Sequence, residues 1–177
     1  MKTNNKTFET IYEIASVLLT ALIAVSIIFT FFFKLSTVSG ESMENTLEHG
    51  DNLLITTMSK EYKTGDVLVI NKRYMTEDVL IKRVVAVGGQ TVSFNPISRK
   101  LVVDGQEIDE PYIKEQMSFF PQYMSGEFVV PEGHLFVMGD NRNNSADSRI
   151  PMIGFIDERR VLGKVFYRFG EKELFNS

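Results

Sequence analysis

Apolar and polar residues follow two different patterns along this chain, and the boundary between them lies near Lys34. From Ile14 to Phe33 the sequence runs for 20 residues without a charged side chain, between Glu13 and Lys34. A helix of that length is about 30 Å long, which matches the hydrocarbon core of a bilayer. The pattern therefore predicts one membrane-spanning helix near the N-terminus.

A cleaved signal peptide and a buried helix of a soluble domain are the alternatives to a membrane anchor. The apolar core of a signal peptide is usually about 7–15 residues long and precedes a cleavage site of small residues. This run is longer and ends in Phe29, Phe31, Phe32 and Phe33. It also lacks the amphipathic period that a soluble helix shows. The run therefore favours an anchor.

The charges beside the run indicate its orientation only slightly. Lys2 and Lys6 precede it and Lys34 follows it, so the positive excess that marks the cytoplasmic side is small. No second apolar run is long enough to return the chain through the membrane. We predict a cytoplasmic N-terminus and anchor over residues 1–35, and an extracytoplasmic domain over residues 36–177 at the cell membrane.

Beyond Lys34, short apolar stretches separated by turn residues predict a mainly β domain. Asp104-Gly105 supplies the residues of a tight hairpin turn. Residues 113–126 follow neither the helical nor the strand period, so we predict an irregular excursion or flap there. Short strands without long helices favour antiparallel sheets folded over into a barrel-like domain. The predicted strands and hairpin are Asn52–Thr57, Asp66–Ile70, Val79–Val87, Lys100–Ile108, Phe128–Val130, Leu135–Met138 and Val161–Phe169.

Composition narrows the chemistry open to this domain. The chain has 177 residues, no cysteine and a net charge of −4, which excludes disulfides and thiolate metal sites and argues against a nucleic-acid partner. His49 and His134 stand alone, with no second histidine or carboxylate at the spacing of a metal site, so we interpret them as surface or loop residues. We predict neither a metal ion nor a cofactor.

Lys82 lies near the middle of the predicted strand Val79–Val87. Since alternate residues of a strand share a face, Leu80, Val84 and Ala86 are expected on the face of Lys82. Such apolar neighbours disfavour the charged amine and can lower a lysine pKa by up to about 3–5 units, so that the amine can act as a base. The alternative is a surface lysine on an edge strand. The opposite face is expected to carry Val79, Ile81, Arg83, Val85 and Val87.

Ser42 is the candidate nucleophile for that base, because a serine needs a base to react and a desolvated lysine can serve as one. It lies in the loop Ser39–Leu47 just after the apolar run, where Gly40 allows unusual backbone angles. Its main-chain N–H could stabilise the oxyanion of a tetrahedral intermediate. An exposed loop serine usually has no such function, so this assignment depends on the pairing with Lys82.

A third polar segment, Gly139–Arg149, directly follows the predicted strand Leu135–Met138. Asp147 and Arg149 are two residues apart and could pair with each other or brace neighbouring strands. Ser145 could donate or accept a hydrogen bond and so orient a lysine amine. A solvated loop would have the same composition.

Taken in order, these segments resemble the type I signal peptidases of bacteria, particularly the short Gram-positive form. Ser42-Met43-Glu44-Asn45-Thr46-Leu47 is similar to the nucleophile box of that family, and Gly65-Asp66-Val67 to its second box. Ile81-Lys82-Arg83-Val84 is similar to the box of the lysine base, and Gly139-Asp140-Asn141-Arg142 through Arg149 to the last box. The resemblance covers most of residues 10–170, and it implies the signal-peptidase fold of antiparallel sheets with one N-terminal transmembrane helix.

The resemblance also implies a role for each matching residue. Ser42 would be the nucleophile and Lys82 its general base. Ser145 would hydrogen-bond and orient the lysine amine, while Asp147 and Arg149 would hold the site. Gly40 stands where some members carry a serine as second oxyanion donor, which leaves the oxyanion hole mainly to main-chain N–H groups. The substrate pockets would be lined by Val38, Met43, Leu47 and Ile81.

Two positions depart from the family pattern. Asn45 replaces the usual proline of the nucleophile box, which is expected to loosen the backbone after the nucleophile. Gly88-Gly89-Gln90 stands where the family usually has Pro-Gly-Asp, which is expected to loosen a turn. Neither change removes a catalytic group, and both leave room for altered substrate choice or reduced activity.

The function implied by the resemblance is that of a membrane-bound serine endopeptidase, which removes N-terminal signal peptides from exported preproteins. Its partners would be preproteins with small residues at −1 and −3, the lipid bilayer and the secretion translocon. One alternative is a weakly active or non-catalytic relative that assists assembly of secreted or pilin subunits. Another is a self-cleaving Ser–Lys protease of the SOS-repressor type, which would carry a DNA-binding domain where this chain has its apolar run.

Overall fold

The computed structural model describes residues 2–71, 79–122 and 126–170, with side chains described from residue 6 onward. Contacts within the chain divide it into two compact units, Met1–Lys34 and Leu35–Ser177. The predicted excursion at 113–126 is described except for residues 123–125, and residues 113–121 form neither α-helix nor strand.

The first unit is dominated by one helix, α1 (Lys2–Phe32). Its stretch Lys6–Phe32 is long and apolar enough to cross a membrane by length and composition. The hydroxyls of Thr20 and Thr30 each donate to the carbonyl four residues earlier, at 2.8 Å. Such internal bonds satisfy hydroxyl groups where no water is available. The helix begins well before the predicted apolar run and includes all of it except Phe33.

The second unit is built from two antiparallel sheets. The larger has seven strands in the order β1-β2-β11-β3-β4-β9-β10, and the smaller has four in the order β7-β6-β5-β8. The strands are β1 (Phe33–Thr37), β2 (Asn52–Thr56), β3 (Val67–Asn71), β4 (Val79–Val87), β5 (Thr91–Asn95), β6 (Lys100–Val103), β7 (Gln106–Glu107), β8 (Phe128–Val129), β9 (His134–Met138), β10 (Ile156–Asp157) and β11 (Val161–Arg168). A mainly β fold with one N-terminal apolar helix is therefore confirmed.

Every strand predicted from alternation is present within one or two residues at each end, and β4 has the predicted bounds. The hairpin between β6 and β7 turns at Asp104 and Gly105, whose φ angles of 50° and 77° suit a tight two-residue turn. Three strands were not predicted, namely β1, β5 and β10. All three are short, and β1 and β5 mix polar and apolar residues. They form because a neighbouring strand of the sheet is available for pairing.

The alternation along β4 breaks at a bulge. The register between β4 and β9 shifts between Val84 and Ala86, and a bulge of this kind re-aims the residues that follow it. Leu80 and Val84 pack in one core cluster, against which Val87 also packs, whereas Ala86 packs in another. The prediction that Ala86 shares a face with Leu80 and Val84 is therefore wrong. The prediction that Val87 lies on the other face from Leu80 is also wrong.

Three apolar clusters form the core of the second unit. One of them lies under the Ser42 loop and joins that loop to β2, β3 and β11. Its buried members are Val38, Met43, Leu47, Leu53, Ile55, Val67, Val69 and Val165. The loop is therefore packed onto the large sheet through its own apolar residues.

Candidate active site

Ser42 and Lys82, which are 40 residues apart in sequence, meet in the structure. The Lys82 Nζ lies 2.6 Å from the Ser42 Oγ and also donates to the carbonyl of Ile81 at 2.8 Å. Lys82 is only 2% exposed, although it lies in a nine-residue strand of the large sheet. A buried amine in direct hydrogen-bond contact with a serine hydroxyl has the geometry of a general base beside a nucleophile.

A cleft of about 730 Å³ opens beside this pair. Of the four residues predicted to bind substrate, Val38, Met43 and Ile81 line it. Leu47 does not, because its side chain is fully buried in the cluster beneath the loop. Leu47 is therefore not among the residues that line this cleft, and its part in binding substrate stays a prediction. The remaining lining residues are Ser36, Thr37, Ser39, Gly40, Glu41, Ser42, Val79, Leu80, Lys82, Asn144 and Ala146.

Asn45 occupies a turn that its family counterpart could not form. The Thr46 N–H donates to the Met43 carbonyl at 3.0 Å, which makes Asn45 the third residue of a β-turn with a φ of 83°. That position of a type II turn needs a positive φ and favours glycine or asparagine. The Asn45 amide also donates to the Tyr112 carbonyl at 3.3 Å. The backbone after Ser42 is therefore not loosened as expected. It forms a defined turn that is held by a hydrogen bond from the Asn45 side chain.

We expect Asn45→Pro, which introduces the proline of the family pattern, to destabilise this protein. Proline fixes φ near −65°, so the turn would have to rearrange at a cost on the order of 1–3 kcal/mol. The measurement is the free energy of unfolding in urea. Asn45→Gly is the matched control, since glycine keeps the positive φ and should stay within about 1 kcal/mol of wild type. A proline variant as stable as wild type would contradict the turn.

The turn at Gly88-Gly89-Gln90 is also well defined. Gly89 has a φ of 84°, and the Gln90 side chain accepts from the Val87 N–H at 3.0 Å while donating to Asp104 at 2.8 Å. A side chain at Gly88 would come within 3.0 Å of the backbone of Glu132. The expected loosening of this turn is therefore not seen, because the longer glutamine side chain bridges it.

Arg83 connects β4, the strand of Lys82, to the Ser42 loop. Its guanidinium makes two hydrogen bonds to Asp140, at 2.9 and 2.7 Å, and both side chains are buried. The Thr46 hydroxyl donates to the same carboxylate, and Arg83 also donates to the Gly65 carbonyl at 2.8 Å. Bidentate arginine–carboxylate pairs are directional as well as strong. This pair therefore sets how Lys82, the residue before Arg83, meets the loop that carries Ser42.

Asp147 and Arg149 form the predicted pair, with two hydrogen bonds of 2.8 Å between their side chains. Asp147 also accepts from the Gly139 N–H at 3.0 Å. Burial alone would raise the pKa of the Asp147 carboxyl, but Arg149, the Gly139 N–H and the nearby Ser145 hydroxyl outweigh it and lower that pKa overall. The pair fixes Gly139, whose Cα lies against the Ser42 carbonyl.

Ser145 does not make the contact predicted for it. Its Oγ is buried beside Gly139 and makes no hydrogen bond of ordinary geometry to a described residue, although it lies near the Asp147 carboxylate. The predicted hydrogen bond from Ser145 to the Lys82 amine is therefore not formed in this structure. A role for Ser145 in orienting that amine stays a prediction.

The lowered pKa of Asp147 makes its contribution to stability depend on pH. A carboxyl with a lowered folded pKa stabilises the fold above its unfolded pKa of about 3.9, and this contribution is lost as the pH falls through the folded pKa. We expect Asp147→Asn to lower the free energy of unfolding at pH 7 by about 3–5 kcal/mol, because the buried Arg149 loses the negative charge of the Asp147 carboxylate. The difference from wild type, measured in urea from pH 7 to pH 3, should shrink towards acid. A difference that is constant with pH would contradict the assignment.

Several residues that build the site were not predicted to do so. Arg83 and Asp140 lie inside the matched boxes, but sequence alone does not show which charged residues become buried partners. Glu110 and Tyr112 lie outside every box and contact the site through Arg142 and Arg83. They lie on either side of Pro111, between the predicted hairpin Lys100–Ile108 and the predicted excursion at 113–126, and no sequence pattern marked them.

Comparison with known proteins places this chain in a family. The model of the family described as "Signal peptidase, peptidase S26" matches residues 11–170. The probable signal peptidase I-1 of Synechocystis sp. is 34% identical and the alignment covers 92% of this chain and 84% of that protein. Signal peptidase I of Bacillus licheniformis is 32% identical, with coverage of 96% and 95%.

A crystal structure of a signal peptidase I from Enterococcus faecalis aligns with a TM-score of 0.46 and 27% identity, over 59% of this chain and 96% of that one. The family match extends over the nucleophile loop, the lysine strand and the segment Gly139–Arg149. The resemblance seen in the sequence boxes is therefore confirmed, and the chain belongs to the signal peptidase family, peptidase S26, and is a peptidase of that family.

Proposed function

We propose that this protein removes N-terminal signal peptides from exported preproteins, with Ser42 as nucleophile and Lys82 as general base. The observation that carries the proposal is the 2.6 Å contact between the Lys82 Nζ and the Ser42 Oγ at the wall of an open cleft. Family membership supports the peptidase activity. The names of the relatives support signal peptides as the substrate.

The proposed reaction begins when the Ser42 Oγ attacks the scissile carbonyl carbon and its proton passes to the Lys82 Nζ. The tetrahedral oxyanion then collapses, the peptide C–N bond breaks, and Lys82 returns that proton to the leaving amine. Water next attacks the acyl-enzyme ester and gives a proton to Lys82. Release of the acid from Ser42 and return of the proton to its Oγ complete the cycle.

The Ser42 N–H is the proposed oxyanion donor. No residue that the structure describes accepts a hydrogen bond from it, while the Ser42 carbonyl is held by the Asn141 N–H at 3.1 Å. Gly40 has a φ of 92°, and its N–H is bound by the His49 ring at 3.1 Å. These contacts fix the backbone on both sides of Ser42, so the donor is oriented before the substrate binds.

A peptide substrate would bind in extended form beside β4. On one side, Val79 to Lys82 pair with β3. On the other side β9 pairs only from Arg83 onward, and among the described strands no other covers that edge. The cleft lies here, between Ile81 and the loop residues Val38 and Met43. Strand addition would align the substrate backbone with the dyad, and the apolar walls would accept small residues at −1 and −3.

We further propose that α1 anchors the enzyme in the cell membrane, with the N-terminus in the cytoplasm and residues 36–177 outside. The apolar stretch Lys6–Phe32 supports an anchor. The lipid bilayer and the secretion translocon would then be partners, because signal peptides leave the translocon within the bilayer. The alternative of a non-catalytic assembly factor is disfavoured by the contact between Ser42 and Lys82.

The test is cleavage of a preprotein by the purified, detergent-solubilised full chain. We expect one new N-terminus in the product, directly after the signal peptide, as read by N-terminal sequencing or mass spectrometry. The same preprotein with large residues at −1 and −3 should resist cleavage and serves as the substrate control. An enzyme that leaves several preproteins intact, or cleaves at unrelated sites, would overturn the proposed function.

A further inference from the structure

Tyr112 lies in the irregular segment that follows β7, yet it contacts the core of the site. Its ring covers the flat face of the Arg83 guanidinium, with the Arg83 Cζ 4.0 Å from the ring centroid. Contacts of this kind attract an arginine to the ring face, and more strongly when water is excluded. Arg83 is 8% exposed. Its N–H groups, which lie in the plane of the guanidinium, donate to Asp140 and Gly65, so the ring contacts a face of the group that hydrogen bonds cannot hold.

A second ion pair holds Tyr112 in that position. The Tyr112 hydroxyl donates to Glu110 at 3.0 Å, and Glu110 accepts two hydrogen bonds from Arg142. Burial, and then the charge of Glu110, raise the pKa of the Tyr112 phenol, so it stays protonated as the donor. Arg142 is anchored in turn by the Gly139 carbonyl at 3.1 Å. Glu110 and Arg142 therefore link the Tyr112 hydroxyl to the segment Gly139–Arg149, which lies beside Ser42.

The same segment reaches the nucleophile loop directly. The Tyr112 carbonyl accepts from the Asn45 amide at 3.3 Å, three residues after Ser42. Two residues beyond Tyr112, the Lys114 N–H donates to the Asp140 carbonyl at 3.0 Å and its amine pairs with Glu44 at 2.6 Å. Tyr112 therefore contacts the residue after Lys82 and the loop of Ser42 at once, although it does not line the cleft.

We propose that Tyr112 is a positioning residue for the dyad, which holds Arg83 against Asp140 and thereby sets the approach of Lys82 to Ser42. This inference rests on the proposed function, because it assigns Tyr112 a part in that same reaction. Ser42 lies in a loop and Lys82 in a strand, so their contact depends on how these two elements are held together. A misplacement of either side chain by about 1 Å can lower the rate by on the order of 100-fold. The segment around Tyr112 thus acts as a fixed brace rather than as a flap over the site.

The test compares Tyr112→Leu, Tyr112→Phe and wild type in preprotein cleavage, with kcat and KM measured separately and corrected for the folded fraction. Tyr112→Leu removes the aromatic face, and we expect kcat to fall by about 10- to 100-fold with KM within about 3-fold. Tyr112→Phe keeps that face and loses only the hydroxyl bond, so kcat should stay within about 3-fold of wild type. Because kcat is corrected for the folded fraction, a loss of bulk stability alone would leave it unchanged in Tyr112→Leu.

The matched control is Tyr62→Leu. Tyr62 is another partly buried tyrosine, which packs against the core cluster of Leu68 and Ile70 and does not itself line the cleft. This variant should lose stability but keep the kcat of its folded fraction. If Tyr112→Leu does not fold, Tyr112→Met is used instead, because methionine fills most of the volume without an aromatic face.

Two results would overturn the inference: a wild-type kcat in the Leu or Met variant, or a loss in Tyr112→Phe as large as in those variants. A failure of the proposed function looks different, because wild type would then be inactive or Ser42→Ala would still cleave. With active wild type and inactive Ser42→Ala, the Tyr112 variants test only the positioning role.

Discussion

Replacing Lys82 with methionine is expected to lower kcat for preprotein cleavage by at least about 10³-fold, with the fold kept. Methionine approaches lysine in length but has no amine, so the Ser42 hydroxyl loses the base that lies 2.6 Å away. Lys82 is the only basic side chain among the described residues that line the cleft. Methionine therefore leaves the Ser42 hydroxyl without the amine that is placed to accept its proton.

Companion variants make this prediction specific to proton transfer. Lys82→Arg should be as inactive as Lys82→Met, because a guanidinium stays protonated and cannot act as a base. Ser42→Ala should show a similar loss, and the double variant should lose little more, since residues that act as a unit are not additive. Lys100→Met is the matched control, because Lys100 lies in β6, outside the cleft. Its kcat should equal that of wild type.

The measurement is kcat with a purified preprotein, together with urea unfolding to show that each variant is folded. Activity of Lys82→Met within about 10-fold of wild type would contradict the general-base role. Activity of Lys82→Arg close to wild type would contradict the need for a neutral amine.

A single methyl group at Gly139 is expected to have the second-largest effect. A Cβ at this position would lie 2.3 Å from both the Ser42 carbonyl oxygen and the Ser145 Oγ, far inside van der Waals contact. The Ser42 backbone would have to move away, which would strain its bond to the Asn141 N–H. We expect Gly139→Ala to lower kcat by about 100-fold and the free energy of unfolding by about 1–3 kcal/mol.

Gly126→Ala is the matched control for this crowding. A Cβ at Gly126 would meet no atom of a described residue within 4 Å, and its φ is not positive. This variant should keep both the kcat and the stability of wild type. A Gly139→Ala enzyme with wild-type kcat would show that the Ser42 carbonyl does not pack against Gly139 during catalysis.

Sequence-based prediction succeeded where the structure depends on local pattern. The 20-residue apolar run, the β4 strand from Val79 to Val87 and the Asp104-Gly105 turn all follow from periodicity and turn chemistry. Ser42 and Lys82 could be named from the chemistry each residue type allows and from the resemblance of their boxes. These features are encoded within a few neighbouring residues, so no knowledge of the folded chain was needed.

Predictions that depended on one long-range contact were less successful. The bulge at Val84 to Ala86 arises from pairing with β9 and is invisible in the alternation of β4. Leu47, which was expected to line the substrate pocket, is buried in the core cluster with Leu53 and Ile55 of β2. Asn45 was expected to loosen its loop, but Tyr112, 67 residues later, supplies the acceptor for its amide.

The sequence by itself determined the anchor candidate and the β class of the domain, and it singled out Ser42 and Lys82 as the proposed nucleophile and base. Only the tertiary structure decided how these two residues are held together. The residues that surround the pair come from three separate segments and are buried or partly buried. Arg83 pairs with Asp140 and packs against the Tyr112 ring, and Arg142 pairs with Glu110. Burying a charge is unfavourable unless its partner is in place, and that partner is chosen by the packing of distant segments rather than by neighbours in sequence.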